Sequence, residues 1–248
     1  MAEFEEGVDA WKRKDFASAL SIWKPLAEQG DGRAQFGVGQ IYGKALGVTQ
    51  DAAEALKWYR KAAEQGSADA QFLLGRMYSA GEGVAADAAE ALHWYRQAAE
   101  QGHIGSQYNL GVIYLNGEGT DADPTEAAKW FGAAAEKGFA PAQYNLGFLC
   151  AEGQGAERND AEAVRWFSLA AEQGFAPAQN NLGLMYAKGQ GTSQDIVRAH
   201  MWFTLAAAQG LKEAREHQKH AASGMQPDEI AEAQGLVRER MAKARLNA

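Results

Sequence analysis

Apolar positions recur along this chain as two alternating helical stripes. Positions 34, 38, 41 and 42 share one face of a helix and are small or apolar, and the stripe returns in Ala70 to Tyr78, Ser106 to Tyr114, Ala142 to Cys150 and Ala178 to Tyr186. A second stripe follows each first one, built on Trp58-Tyr59, Trp94-Tyr95, Trp130-Phe131, Trp166-Phe167 and Trp202-Phe203, and each carries a paired-alanine segment. Two helices per unit are therefore predicted. The glycines that end the second stripes stand at 30, 66, 102, 138, 174 and 210, and every neighbouring pair differs by 36. Self-similarity at a fixed period of this size predicts an all-α solenoid of stacked helix pairs. Function is then to be sought on a surface rather than in a catalytic cleft.

The punctuation between the stripes agrees with this reading. Asp51 and Glu54 have capping-box spacing: the first carboxylate is expected to accept from amides of the first turn and the second to reach back to the cap residue's own amide. Asp87/Glu90, Asp123/Glu126 and Asn159/Glu162 repeat the pair, with Pro124 at the first helical position; Asp195 keeps the cap but is followed by Arg198. The first helices carry an invariant internal glycine (Gly39, Gly75, Gly111, Gly147, Gly183), which implies close approach by a partner helix. Between the helices lie Gly81-Glu-Gly83, Gly117-Glu-Gly119, Gly153-Gln-Gly155 and Gly189-Gln-Gly191. Without a preceding strand these read as turns, not phosphate loops.

The ends depart from the period as solvent-facing caps of an array should. Residues 1–30 read as an N-terminal pair, with a helix from Glu3 to Lys14 and a second, capped by Asp15, to Gln29. Residues 31–210 are five regular repeats. Residues 211–248 hold a helix from Leu211 to Ser223 and a last one from Pro227, acidic at its start and basic at its end (Arg238, Arg240, Lys243, Arg245), matching the helix dipole. The unbroken period predicts one repeat domain over 1–248. Trp202, near the decaying end, is expected to matter less to stability than Trp130 in a central repeat.

The series Ala-x-x-x-Leu-Gly-x-x-Tyr, Gly-x-Gly, capping Asp, Ala-x-x-Trp-Tyr and Ala-Ala-x-Gln-Gly resembles the Sel-one-like repeat (SLR), a relative of the tetratricopeptide repeat (TPR), over roughly residues 15 to 210. The resemblance implies a right-handed superhelix of antiparallel helix pairs, a scaffold role in protein complexes, often bacterial, and first helices that line a concave groove. It implies no one partner.

Composition narrows the alternatives. The formal net charge is −8 and basic residues are scattered among acidic ones, so a basic stripe for nucleic acid or an anionic membrane is missing. No apolar run is long enough to insert into a membrane. The acidic start Met1-Ala-Glu-Phe-Glu-Glu6 is unlike a secretory signal, so the chain as written is expected in the cytoplasm; a signal already removed would place it in the periplasm. Cys150 is the only cysteine, in a slot held elsewhere by tyrosine, and reads as a small buried hydrophobe. His217 and His220 stand three apart without a third ligand and read as solvated cap residues. Asp121 and Asp123 lack the later positions of a calcium loop. No cofactor or metal is expected, and no catalytic constellation stands out. Some secreted, cysteine-rich SLR proteins are β-lactamases; the cysteine pairs that staple them are missing here, which makes hydrolysis the remote alternative.

Comparison among the internal copies locates the candidate surface. The first-helix face away from the core stripe holds slots equivalent to 36, 40, 43 and 44. Slot 36 reads Phe36, Phe72, Tyr108, Tyr144, Asn180, and slot 40 reads Gln40, Arg76, Val112, Phe148, Leu184. Asn109 and Asn145 lie beside this face, and Lys188 is among the slot-44 residues that set its charge. These residues are expected to bind a protein or peptide segment non-catalytically, since exposed aromatics anchor interfaces. Two roles are open to the slot-36 aromatics, ligand contact and packing between helices. The asparagines are expected to bond neighbouring turns before any peptide. Self-association through the array's faces is the second alternative.

Overall fold

The computed structural model describes residues 2–246, with side chains described from 2 to 243; the side chain of Arg245 and residues 1, 247 and 248 lie outside that range. Among the described residues there are fourteen α-helices and no strand. The N-terminal pair is α1 (Ala2–Lys12) and α2 (Phe16–Glu28). First helices of the regular repeats are α3 (Gly32–Gly43), α5 (Ala68–Ala80), α7 (Ile104–Asn116), α9 (Ala140–Glu152) and α11 (Ala176–Lys188). Their second helices are α4 (Ala52–Glu64), α6 (Ala88–Glu100), α8 (Pro124–Glu136), α10 (Asp160–Glu172) and α12 (Ile196–Ala208), followed by α13 (Lys212–Ser223) and α14 (Pro227–Leu246). The helices group into two compact units, Met1–Ala122 and Asp123–Ala248. Within each unit consecutive helices pack on one another as far as α13, and α14 returns to pack on α12.

Half of the expected capping box forms. Asp51 accepts from the Glu54 amide at 3.0 Å, and Asp87, Asp123, Asn159 and Asp195 make the equivalent bonds. The reciprocal bond does not form. The amides of Asp51, Asp87, Asn159 and Asp195 instead donate to the carbonyls of Tyr42, Tyr78, Cys150 and Tyr186 on the preceding first helix, at 2.9–3.2 Å. That pairing frees the glutamates, and Glu54 and Glu90 accept from the indoles of Trp58 and Trp94, both at 3.1 Å. The box residue thus fixes a buried tryptophan, and the cap residue fixes the helix pair.

Two glycine slots are explained by what lies against them. A Cβ on Gly75 would stand 2.6 Å from the Tyr95 ring and one on Gly183 2.6 Å from the Phe203 ring, so the partner helix seats its aromatic on bare backbone. In the Gly-x-Gly turns the second glycine faces the previous repeat: a Cβ on Gly83 would meet the Ala52 carbonyl carbon at 2.6 Å, and one on Gly191 would collide with the Asp160 carbonyl oxygen. The turn is therefore also a contact between repeats.

A buried amide ladder runs through each unit. Gln35, Gln71, Gln107, Gln143 and Gln179 are all at most 5% exposed. Each donates its amide to a carbonyl near the C-terminal end of the preceding second helix (Ala27, Ala63, Ala99, Ala135, Ala171) at 3.0–3.2 Å. Four of them accept from a glutamine at the end of the following helix, as in Gln101 to Gln71 at 2.7 Å and Gln173 to Gln143 at 2.8 Å. One side chain so ties three consecutive helices.

The C-terminal end is better covered than its sequence suggests. Leu236 and Val237 of α14 pack on the cluster around Trp202, Arg240 lies 4.2 Å over the indole, and its guanidinium reaches Glu172 of α10 at 2.9 Å. Trp202 is 3% exposed while Trp130 is only half-buried. This reverses the order expected from the decaying repeat, because α14 supplies the missing neighbour. Trp202→Ala should cost about 3–5 kcal/mol and Trp130→Ala less, measured as urea midpoints; equal or reversed losses would contradict this account of the end.

His200 stands on α12 in the slot that holds Leu56, Leu92 and Val164 elsewhere, and it is 6% exposed. Burial lowers its pKa below the ordinary imidazole value. The unfolded chain then takes up the proton first as pH falls, so the folded state loses stability from the unfolded pKa, about 6.5, downward. His200→Leu should remove that part of the acid-side loss and leave stability above pH 7.5 nearly unchanged. Parallel urea-midpoint profiles for both proteins from pH 7.5 to 5.5 would contradict it.

Candidate protein-binding face

In the first unit, Phe36, Gln40, Phe72, Tyr108, Asn109 and Val112 are half-buried on α3, α5 and α7, and Arg76 is exposed. The Phe36 ring lies 5.9 Å from Tyr59, and Phe72 lies 6.0 Å from Tyr95 and 4.5 Å from the His103 ring that leads into α7. These two rings therefore pack between helices and show only part of their area. Asn109 donates to the phenol of Tyr95, whose pKa burial pushes up to about 12 and which this bond partly lowers. Arg76 carries the free charge here, close enough to act on both Tyr59 and Tyr95. Between α3, α4 and α5 a cleft of about 190 Å³ opens, lined by Lys44, Tyr59, Arg76 and Glu82 among others.

The second unit presents a more apolar version of the same slots. Tyr144 on α9 is half-buried, 5.8 Å from Phe167 and 5.5 Å from Phe175, with its hydroxyl bonded to Asn181 of α11. Burial raises the Tyr144 pKa, and the Asn181 bond opposes it. Phe148 is 39% exposed, Lys188 is exposed, and Asn145 and Leu184 are half-buried. Phe148 is thus the aromatic of this set most open to solvent.

His217 is not a solvated cap residue. Its Nδ1 lies 2.8 Å from Asn180 Oδ1, and its ring packs tilted against Phe203 with centroids 5.3 Å apart. Asn180 occupies the aromatic slot of earlier repeats and is 8% exposed, so an imidazole on the next first helix fills the place of a ring and satisfies a buried amide. The half-buried Cys150 thiol has its pKa raised by burial first and then by the Glu162 charge, which keeps it protonated. Among the described residues no group of three or more His, Cys, Asp or Glu is placed to hold a metal ion, and no helix is long and apolar enough to cross a membrane.

The residues that sequence reasoning passed over are the slot-35 glutamines, whose strict 36-residue recurrence was their only signal. They lie next to the slot-36 aromatics and fix the first helices from behind. Slot 40, which varies from repeat to repeat, keeps exposed area; the recurring slots 34, 35 and 39 are buried.

The Sel1 repeat matches five consecutive segments, 32–67, 68–103, 104–139, 140–175 and 176–211, and the chain belongs to the Sel1-repeat family. No curated protein matches the chain. Among solved structures it is similar to c5321, a protective antigen of uropathogenic Escherichia coli with an SLR fold, at 34% identity and a TM-score of 0.81. That match covers 92% of this chain and 49% of the other, so this chain spans about half the length of the E. coli protein. A Sel1 repeat protein from Oxalobacter formigenes is 33% identical with a TM-score of 0.80, over 94% of this chain and 95% of its own.

Proposed function

We propose that the protein is a non-catalytic adaptor that binds a segment of a partner protein on its first-helix face. Sel1-repeat proteins are typically protein-interaction scaffolds. The observation that carries the reading for this chain is the contrast between slots. Slots 34, 35 and 39 are buried in every regular repeat, whereas slot 40 changes from Gln40 and Arg76 to Val112, Phe148 and Leu184 and keeps exposed area. A frame that holds its geometry while one open face changes chemistry suits recognition.

Within that face the roles divide. Arg76 and Lys188 set charge preference, Phe148 supplies an aromatic anchor, and Gln40 and Val112 complete the slot-40 row. The half-buried Phe36, Phe72, Tyr108 and Tyr144 offer ring edges to a ligand while serving the packing. Asn109 and Asn145 orient beside them. Burial of an anchor such as Phe148 on binding is worth about 2 kcal/mol or more.

Because Tyr144 and Phe72 also hold helices together, the test uses residues whose loss leaves the frame intact. Affinity capture from the source cell's lysate should compare wild type with Arg76→Glu and with Phe148→Ser, each verified by circular dichroism. A protein retained by wild type and lost from at least one folded variant is the expected result. Equal retention by all three would overturn the placement on this face, and no specific retention would overturn the adaptor reading.

A further inference from the structure

The second unit ends in a cleft of about 490 Å³ between α11, α12 and α13. Leu184, Ile196, Phe203 and Ala221 form its apolar wall, Lys188 and His220 stand at it as exposed basic groups, and no carboxylate is among the residues that line it. The walls are held in place. Gln194 closes one side by donating to the Ala187 carbonyl at 2.9 Å, and His217 is fixed by Asn180 and Phe203.

Charge sets this place apart on a chain of net charge −8. Several cations elsewhere pair with an acid three residues away, as in Lys57–Glu54, Lys129–Glu126, Arg165–Glu162 and Lys219–Glu216. Lys188 follows Leu184 and Met185 on its helix and has no such acid before it, and the nearest acid on the helix of His220, Glu216, is taken by Lys219 at 2.9 Å. The equivalent cleft of the first unit has Lys44, Gln50 and, in the place of His220, Arg76, with Gln50 donating to the Gly43 carbonyl at 3.2 Å. It is smaller and already contains Glu82. The three intervening repeats carry Ala80, Asn116 and Glu152 in the lysine slot.

We propose that the α11–α13 cleft takes an acidic, apolar peptide segment of the partner: an apolar anchor seated against Leu184, Ile196 and Phe203, with a neighbouring carboxylate held by Lys188 and His220. The proposal rests on the adaptor reading and specifies the chemistry of its partner. An apolar wall with a few convergent polar groups is the usual form of such a subsite. Phe148, one first helix back on the same row, supplies a second apolar contact. At a helix spacing of about 10 Å and about 3.3 Å per extended residue, the two anchors of the segment should be about three residues apart.

The test is selection of a random twelve-residue peptide display library on the wild-type protein, followed by fluorescence polarisation of the enriched peptides. The expected sequences carry two apolar residues about three apart with Asp or Glu beside one of them. Their affinity should fall about tenfold or more on K188E/H220E, a variant of two exposed residues checked for unchanged helicity, and hold on Lys24→Glu, an exposed change on α2 outside the first-helix face. Replacing the peptide's acidic residue by lysine should restore binding to K188E/H220E. Enriched peptides without an acidic and apolar preference, or indifferent to K188E/H220E, would overturn the proposal while leaving the adaptor reading in place. A concentration-dependent dimer that K188E/H220E abolishes, seen by sedimentation with no peptide enriched, would assign the cleft to a second copy and overturn it. No enrichment, no dimer and an empty lysate capture together would overturn both readings.

Discussion

The structure depends on a polar group buried where a solenoid is usually thought of as purely apolar. A glutamine amide in the core must be bonded or it costs about 1–3 kcal/mol for each orphaned group. Gln71 meets that demand only if α4 ends beside α5 so that Ala63 offers its carbonyl, and Gln101 completes it by reaching back from the end of α6. The same geometry recurs with Gln143 and Gln173 in the second unit. Apolar packing tolerates sliding; a satisfied amide tolerates little. The ladder therefore fixes how far each helix pair is set from the next.

That constraint decides which residues remain available for recognition. With Ala34, Gln35, Val38, Gly39 and Ile41 buried, a first helix has only its outer side left, and the slot-36 aromatic is half drawn into packing against the second helix. Slot 40 is where the frame makes the fewest demands. The first unit fills it with Gln40, Arg76 and Val112, the second with Phe148 and Leu184, so the two units present different chemistry on one kind of scaffold. The row ends at His220, beside a cleft whose lining joins an apolar wall to Lys188 and His220 and holds no carboxylate.

Period, helix pairs, caps and the glycine that admits an aromatic were legible in the sequence because each is a local pattern with one physical reading. Other features depend on which neighbour competes for a group. Glu54 and Asp51 have capping-box spacing, but Trp58 stands one turn on and the Tyr42 carbonyl waits across the turn, so both groups bond elsewhere. A glutamine in an amphipathic stripe reads as surface by default, since most are exposed, and only a partner carbonyl three-dimensionally adjacent makes it core. Trp202 looked peripheral because the repeat fades after it, yet α14 returns to cover it. The variable first-helix face was legible as variation among copies; how much of each ring it exposes was not, because that depends on the facing helix.

The account's central claim is that recurring slots build the frame and slot 40 is free of that duty. The direct measurement is the urea midpoint of Gln143→Met beside that of Phe148→Ser, two nearby changes in the same helix. The account predicts a loss of about 2–3 kcal/mol for Gln143→Met, which removes the donor to Ala135 and the acceptor for Gln173, and a change within about 0.5 kcal/mol for Phe148→Ser. A small effect at Gln143 with a large one at Phe148 would contradict it.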